Sequence, residues 1–317
     1  MLKIKNHVPP IAAVAVILVT IIIFSIGWPN FASLSNASVI LSQVSIHAMI
    51  AFGVTIGLMN GELDLSVGMV MTFSGVLFAM VVATGVPIFL GILIALAVSL
   101  LFGLVTASAL IWFKVPSIVG GLGMMSIVLG LTQGLSGGVY QPIASEAFTL
   151  FGHMKFGFIP ATAIVMIVIA AIATVVFRYA TGGRSLLAAG RNPEATRLAG
   201  INVTTYTFWA LGLGTLFAGI AGILFAAQLG SGNPNIGNSY LFSAFTAVFV
   251  GAAASRTGAF SIPGTLYGAL LIAIITNGLV IANVPSWISE LVIGAILVVA
   301  VAIGSLNRRA EDVLASA

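Results

Sequence analysis

Ten long apolar segments follow one another along the chain, each closed by a short polar or turn-forming run. They cover residues 9–27, 37–59, 66–84, 87–113, 117–136, 159–178, 204–229, 241–254, 262–283 and 287–305. Their apolar positions are continuous rather than alternating, which predicts helices and not strands of a barrel. A helix needs about 20 apolar residues to cross a bilayer, and most of the ten reach that length. The pattern therefore predicts an all-α integral membrane protein, with about ten transmembrane helices in a single domain over residues 1–317. Proline marks several ends, in "GWPNF" after the first segment and at Pro116 after the fourth, because it cannot continue a helix. The segment at 241–254 is the shortest. It is either a full span or a broken, re-entrant element, the latter tolerated where protein shields its backbone. The first segment follows Lys3 and Lys5 as a signal peptide would. It is long for one and lacks a nearby small-x-small cleavage site, so it reads as a retained helix.

Composition sharpens this picture. The chain has 317 residues, of which 60% are hydrophobic and 6% charged. A soluble domain carries about 25% charged residues. The absence of cysteine excludes thiol catalysis, thiolate metal sites and disulfides. The net charge of +4 does not point to nucleic acid, because the basic residues sort by side of the membrane. With a cytoplasmic N-terminus, Lys3, Lys5, Lys114, Arg178, Arg184, Arg191, Arg197, Arg256, Arg308 and Arg309 all fall inside, and Lys155 falls outside. This asymmetry follows the positive-inside rule and places both termini in the cytoplasm. It leaves external loops at 137–158 and 230–240 and a cytoplasmic segment at 179–203.

That cytoplasmic segment reads as ordered. Asn192 is a good N-cap residue and Pro193 suits the first helical position. Glu194 in the first turn and Arg197 near the last complement the helix dipole, and Gly200 is a natural left-handed stop. The expected helix is Pro193–Ala199, with Ala195, Leu198 and Ala199 on one face. So short a helix is unstable by itself and needs a surface. That surface is either the protein's own bundle and the lipid headgroups, or a cytoplasmic partner.

The chain carries no G-x-x-x-x-G-K-[ST] phosphate loop, so uphill transport requires an ion gradient or a separate ATPase. Ionisable residues that could relay ions are scarce: His47 and Glu290, with Glu62 and Asp64 near a helix end. That scarcity favours an external motor. The stretch "NGELDLSVG", Asn60–Gly68, puts two carboxylates between two apolar helices. Asp64 suits a cap on the helix that follows, through the amides near Ser66 and Val67. Alternatively Asn60, Glu62 or Asp64 lines a solute path. Further path candidates are polar residues on apolar helices: Gln43, His47, Thr132, Gln133 and Asn277. Hydrogen bonding between helices is the competing role for each. His47 has no partners at metal-ligand spacing. Small residues four apart recur at Gly53/Gly57, Gly130/Gly134/Gly138, Gly214/Ala218/Gly222 and Gly264/Gly268. They suit close helix packing, within one subunit or between two.

"DLSVG" at 64–68, "GRNPEATRLAGINV" at 190–203 and "GTLYGALLIAIITNGL" at 264–279 together resemble the permease subunits of bacterial ABC importers for ribose and related monosaccharides. The resemblance runs over essentially the whole chain. The related branched-chain amino-acid permeases share a version of the Asn-Pro-Glu-Ala segment. The resemblance implies a multi-pass protein of the bacterial inner membrane that is half of a permease dimer, homo- or heterodimeric. It implies a cytoplasmic ABC ATPase, which binds ATP and magnesium, and an extracytoplasmic solute-binding protein. The permease itself is then a transport subunit with no cofactor and no catalytic residue. The segment carrying Arg184, Arg191, Asn192, Pro193, Glu194, Ala195, Arg197, Leu198 and Gly200 would be the coupling helix that enters the ATPase. Two departures stand out. Glu62-Leu63-Asp64 replaces the family's usual Gly-Ile-Asp, and "GAAASRTGAF" at 251–260 replaces a Gly-Gly-x-Ser stretch. Rival functions are a permease for branched-chain amino acids or nucleosides, and an ion-coupled secondary transporter.

Overall fold

Every one of the ten predicted apolar segments is a helix in the computed structural model, which describes residues 8–255 and 258–315, with side chains for 13–255 and 258–304. They are α1 (Val8–Gly27), α2 (Leu34–Met59), α3 (Val67–Ala83), α4 (Ile88–Trp112), α5 (Ser117–Ser136), α7 (Ala161–Tyr179), α10 (Val203–Leu229), α11 (Gly237–Ala254), α12 (Ile262–Ile281) and α13 (Ser286–Ala315). Three shorter helices complete the set: α6 (Glu146–His153), α8 (Thr181–Arg191) and α9 (Pro193–Leu198). Eight of the described helices are long and apolar enough to cross a membrane, and α3, with 17 residues, is shorter. α11 begins four residues before the predicted segment and has 18 residues, about 27 Å of helix at 1.5 Å per residue. The predicted charges at Lys3, Lys5 and Arg256 lie outside the described residues, as do the side chains of Arg308 and Arg309.

α10 is the central post, packed against α2, α3 and α4, while α12 packs against α11 and α2, and α11 against α13. Lipid offers no hydrophobic drive between helices, so contact rests on close backbone approach at small residues. A Cβ on Gly75 would lie 2.9 Å from the Gly222 carbonyl oxygen, and one on Gly214 would lie 3.1 Å from that of Gly53. Gly251 and Gly264 meet in the same way between α11 and α12. These glycine faces therefore pack within the subunit. The face of α5 does not: Gly123, Gly130 and Gly134 look onto open space. The remaining outer surface is apolar, with Leu93, Leu101, Ile127, Ile167, Val175, Leu291 and Val298 exposed, as lipid requires.

The connections gather at two ends. Residues 60–66, 113–116, 180–202 and 258–261 form one end, which carries Lys114, Arg178, Arg184, Arg191 and Arg197. At the other, Gln141–Pro142 (β1) pairs antiparallel with Ser231–Gly232 (β4), and Lys155–Phe156 (β2) with Ile159–Pro160 (β3). Lys155 lies at this second end. The loop at 137–158 thus holds α6 and β2, neither of which has an apolar period long enough to read from sequence.

Candidate functional site

α7 ends at Tyr179, and Ala180 is extended (φ −73°, ψ 146°), which turns the chain into α8. α8 is amphipathic: Gly183, Leu186 and Ala189 are buried, whereas Arg184 and Arg191 face outward. The period is real, but three glycines in eleven residues hide it behind poor intrinsic propensity. Packing against α7, α10 and α2 supplies what propensity lacks.

Asn192 is extended at φ −149°, and its side-chain oxygen accepts from the Ala195 amide at 2.9 Å. This is the expected cap. Pro193 opens α9 and Arg197 lies in its last turn. The helix closes at Leu198 rather than Ala199, with Gly200 left-handed at φ +80°. Asn202 then caps α10, accepting from the Thr205 amide at 3.3 Å. So α9 is capped at its start by Asn192, and the next helix is capped in turn by Asn202. The face expected to seek a surface finds none among the described residues. Thr196 is the buried residue of α9, and Leu198 is 86% exposed, with Glu194, Ala195, Arg197 and Ala199 exposed beside it.

Directly behind this element lies the break between α2 and α3. Asn60 ends α2, and Gly61 is left-handed at φ +85°. The Asn60 side-chain amide donates to the Leu186 carbonyl at 3.4 Å. Gly190 packs so closely that a Cβ there would lie 2.6 Å from the Asn60 carbonyl carbon and 2.7 Å from its Cα. On the far side of the break, the Leu63 amide donates to Ser117 Oγ at 3.4 Å, and a Cβ on Gly121 would lie 2.8 Å from the Leu65 nitrogen. Two motifs more than a hundred residues apart are therefore in contact.

Asp64 is 7% exposed, and its Oδ1 accepts from the Ser66 amide at 2.8 Å. This bond closes a turn ahead of α3 rather than capping it: Ser66 is itself the N-cap residue, and no side chain among the described residues bonds to the first amides of the helix. Asp64 Oδ2, Asn60 Oδ1 and Ser66 Oγ are buried without partners. Burial raises the Asp64 carboxyl above its usual range, against the smaller opposing effect of the Ser66 amide that donates to it. Burial also raises Glu62, opposed by a bond to the Ser117 hydroxyl.

The other path candidates lie elsewhere. On α2, His47 Nδ1 donates to the Gln43 carbonyl at 2.8 Å, and its ring lies 5.0 Å from that of Tyr240. Thirteen residues separate His47 from Asn60 on the same helix, about 20 Å. Gln133 donates to the Asn235 side chain at 3.1 Å at the second end. Asn277 accepts from the Asn36 side chain at 2.9 Å, and Thr132 bonds to Val128 within its own helix. Glu290 accepts from Ser239 Oγ at 3.3 Å.

A family model described as the permease component of the branched-chain amino acid transport system matches residues 36–301. The chain belongs to this permease family. Among relatives, the probable ABC transporter permease protein YphD of Escherichia coli (strain K12) is 34% identical over 94% of this chain and 90% of that protein. The ribose import permease protein RbsC of the same strain is 32% identical over 90% of each. The autoinducer 2 import system permease protein LsrC of Yersinia pestis (strain Pestoides F) is 28% identical over 84% of this chain and 76% of that protein. No solved structure matches the chain. The permease is a multi-pass protein of the bacterial inner membrane.

Four polar residues of the permease escaped the sequence reading although they share the interior with its candidates. Gln228 Nε2 donates to the Ser42 carbonyl and to Thr162 Oγ1, both at 3.2 Å. Tyr240 lies between His47 and Phe225, and Asn36 meets Asn277. Each sits within a turn or two of a helix end, where a polar residue is unremarkable in one dimension.

Proposed function

We propose that this permease is the membrane subunit of an ATP-driven importer for a monosaccharide or a similar small polar solute. Relatives named for ribose import support the solute class. The observation that carries the coupling reading is α9: capped at its start by Asn192, closed by left-handed Gly200, and presenting Glu194, Ala195, Arg197 and Leu198 outward. A lever that meets a partner needs this combination, since a helix resting on its own bundle would bury its apolar face.

In this reading the basic end faces the cytoplasm and receives an ABC ATPase, which binds ATP and magnesium. The permease is a transport subunit and contributes no cofactor of its own. A solute-binding protein delivers solute at the second end, and a second permease subunit, identical or not, completes the path. The uncovered glycine face of α5 supports its role in that pairing. ATP binding closes the motor, and α9 transmits the stroke to α7 and α10 so that access alternates between the two sides. Gln43, His47, Asn60, Glu62, Asp64, Gln133 and Asn277 are the path candidates, making weak contacts that permit release.

Proteoliposomes holding the permease with its ATPase and solute-binding protein test this reading. The expected result is uptake of labelled monosaccharide that requires ATP and survives a proton uncoupler. Uptake without nucleotide that collapses with the uncoupler overturns it in favour of a secondary transporter. Competition by leucine instead of sugar would identify an amino-acid permease.

A further inference from the structure

The break between α2 and α3 lies between the lever and a helix the lever does not otherwise reach. α5 packs chiefly against α3 and α4 and leaves one face open. Its start touches the break at Ser117 and Gly121, while α8 touches the other side of the break at Leu186 and Gly190. On the Gly190 side there is no clearance, because only a glycine fits against the Asn60 backbone. Elsewhere α8 is less confined. A cleft of about 850 Å³ borders it, lined by Leu187, Gly190, Arg191, Met59, Ala252 and Ala300. The break itself is irregular backbone with left-handed Gly61 and three buried oxygens without partners. Its backbone is tied to the end of α2, the Gly61 amide donating to the Leu58 carbonyl at 3.1 Å and the Glu62 amide to the Gly57 carbonyl at 2.9 Å, so a push on Asn60 is carried along the break rather than absorbed in it.

We infer that residues 60–66 are a mechanical relay: α8 bears on Asn60 through Gly190, and the break passes that displacement to the start of α5 through Ser117 and Gly121. Gly190 and Gly121 are positioning residues in this relay. The inference rests on the importer reading above and adds a route to it. The stroke reaches α5 through contact across the break, in addition to the covalent path through α7 and α10. Rigid elements in contact are a physical means of coupling two sites, provided the element between them moves.

A matched pair of variants tests the relay. Gly182 and Gly190 both lie in α8, but a Cβ at Gly182 meets nothing within 4 Å. Alanine improves helix propensity at both positions by up to about 1 kcal/mol, so only the contact differs. Gly190→Ala pushes α8 off Asn60 toward the cleft. The expected result is uptake reduced by about tenfold while ATP hydrolysis continues, with Gly182→Ala within about twofold of the parent. Gly121→Ala, at the other side of the break, should uncouple in the same way.

A direct readout of α5 distinguishes uncoupling from loss of folded protein. The chain has no cysteine, so Val119→Cys, at a position 57% exposed near the start of α5, takes a single environment-sensitive fluorophore. Its emission should change when ATP is added to the complex, and should cease to change once Gly190→Ala is added. An unchanged response and unchanged uptake in Gly190→Ala overturn the relay and leave the importer reading standing. No response in the parent also overturns the relay. Uptake that never requires ATP removes the importer reading itself, and the relay with it.

Discussion

At the second end of the bundle the connections are tied to one another. Gln141–Pro142 pairs with Ser231–Gly232, the Asn233 side chain donates to Tyr140 OH at 3.2 Å, and Gln133 donates to Asn235. At the basic end, α9 projects from the bundle with Leu198 uncovered, and three oxygens in the neighbouring break are buried without partners. Apolar side chains are exposed at both ends, Val139 and Phe156 at the second among them; what sets the basic end apart is a short helix standing clear of the bundle beside a break whose Asp64 Oδ2, Asn60 Oδ1 and Ser66 Oγ are buried without partners among the described residues. In the importer reading proposed above, the projecting helix meets the ATPase and the tied connections of the second end meet the solute-binding protein.

The contrast can be broken most sharply at the lever. Glu194→Arg reverses a charge in the exposed first turn of α9 and opposes the helix dipole by about 0.3–1 kcal/mol at most. Insertion and thermal stability should barely change. Uptake should be lost and stimulation of ATP hydrolysis with it, checked by uptake in vesicles and by co-purification of the ATPase. Full uptake in this variant would mean that α9 is not where the motor docks.

A substitution at the second end should behave in the opposite manner. A Cβ on Gly232 would lie 2.6 Å from Val76 Cα and 2.8 Å from the Gly75 carbonyl oxygen. Gly232→Val should cost about 1–3 kcal/mol by overpacking. The expected loss is of folded protein and of melting temperature, with ATP hydrolysis and uptake falling together per cell. Hydrolysis that persists without uptake would show that the second end also belongs to the coupling device.

Asp64→Asn sharpens the comparison through pH. The folded pKa of Asp64 is raised, mainly by burial, so the folded state holds a proton that the unfolded state releases first. Stability therefore falls as pH rises from the ordinary carboxylate range, about 3.9, through the raised value. Asparagine keeps the oxygen that accepts from the Ser66 amide and removes the ionisation. The melting temperature of the variant in detergent should exceed the parent's near neutral pH, and the advantage should vanish in acid. A variant less stable than the parent at every pH would mean that a charged Asp64 has a partner.

The smallest effect is expected at Gln133→Ala. Its bond to Asn235 is exposed and worth no more than about 0.5–1.5 kcal/mol. Stability should shift by a degree or two. A large loss of uptake with normal stability would assign Gln133 to the solute path.

How legible each feature was follows from the range of the interactions that made it. The apolar segments became helices because a bilayer requires every backbone group to be satisfied within the segment. The cap at Asn192 and the bond from the Ser66 amide to Asp64 were legible because each spans two or three residues, although the second closes a turn and does not cap α3. α6 was not, since it is an eight-residue helix inside a polar loop. α8 was not either, because glycines mask its period. The end of α9 fell one residue short of expectation, with Ala199 as its cap. The glycine faces were visible as patterns, but nothing local distinguishes Gly53, packed on Gly214, from Gly130 on open space.

Membrane class, helix positions and the family signatures were all determined by the sequence alone, because length and hydropathy act locally along the chain. Only the tertiary structure decided that Gly190 bears on Asn60, that Gly121 bears on Leu65, and that the polar candidates divide between a break, a mid-helix pair and the opposite end. Those facts depend on which helices lie side by side, and close approach between backbones leaves no mark in either strand of sequence until both are brought together.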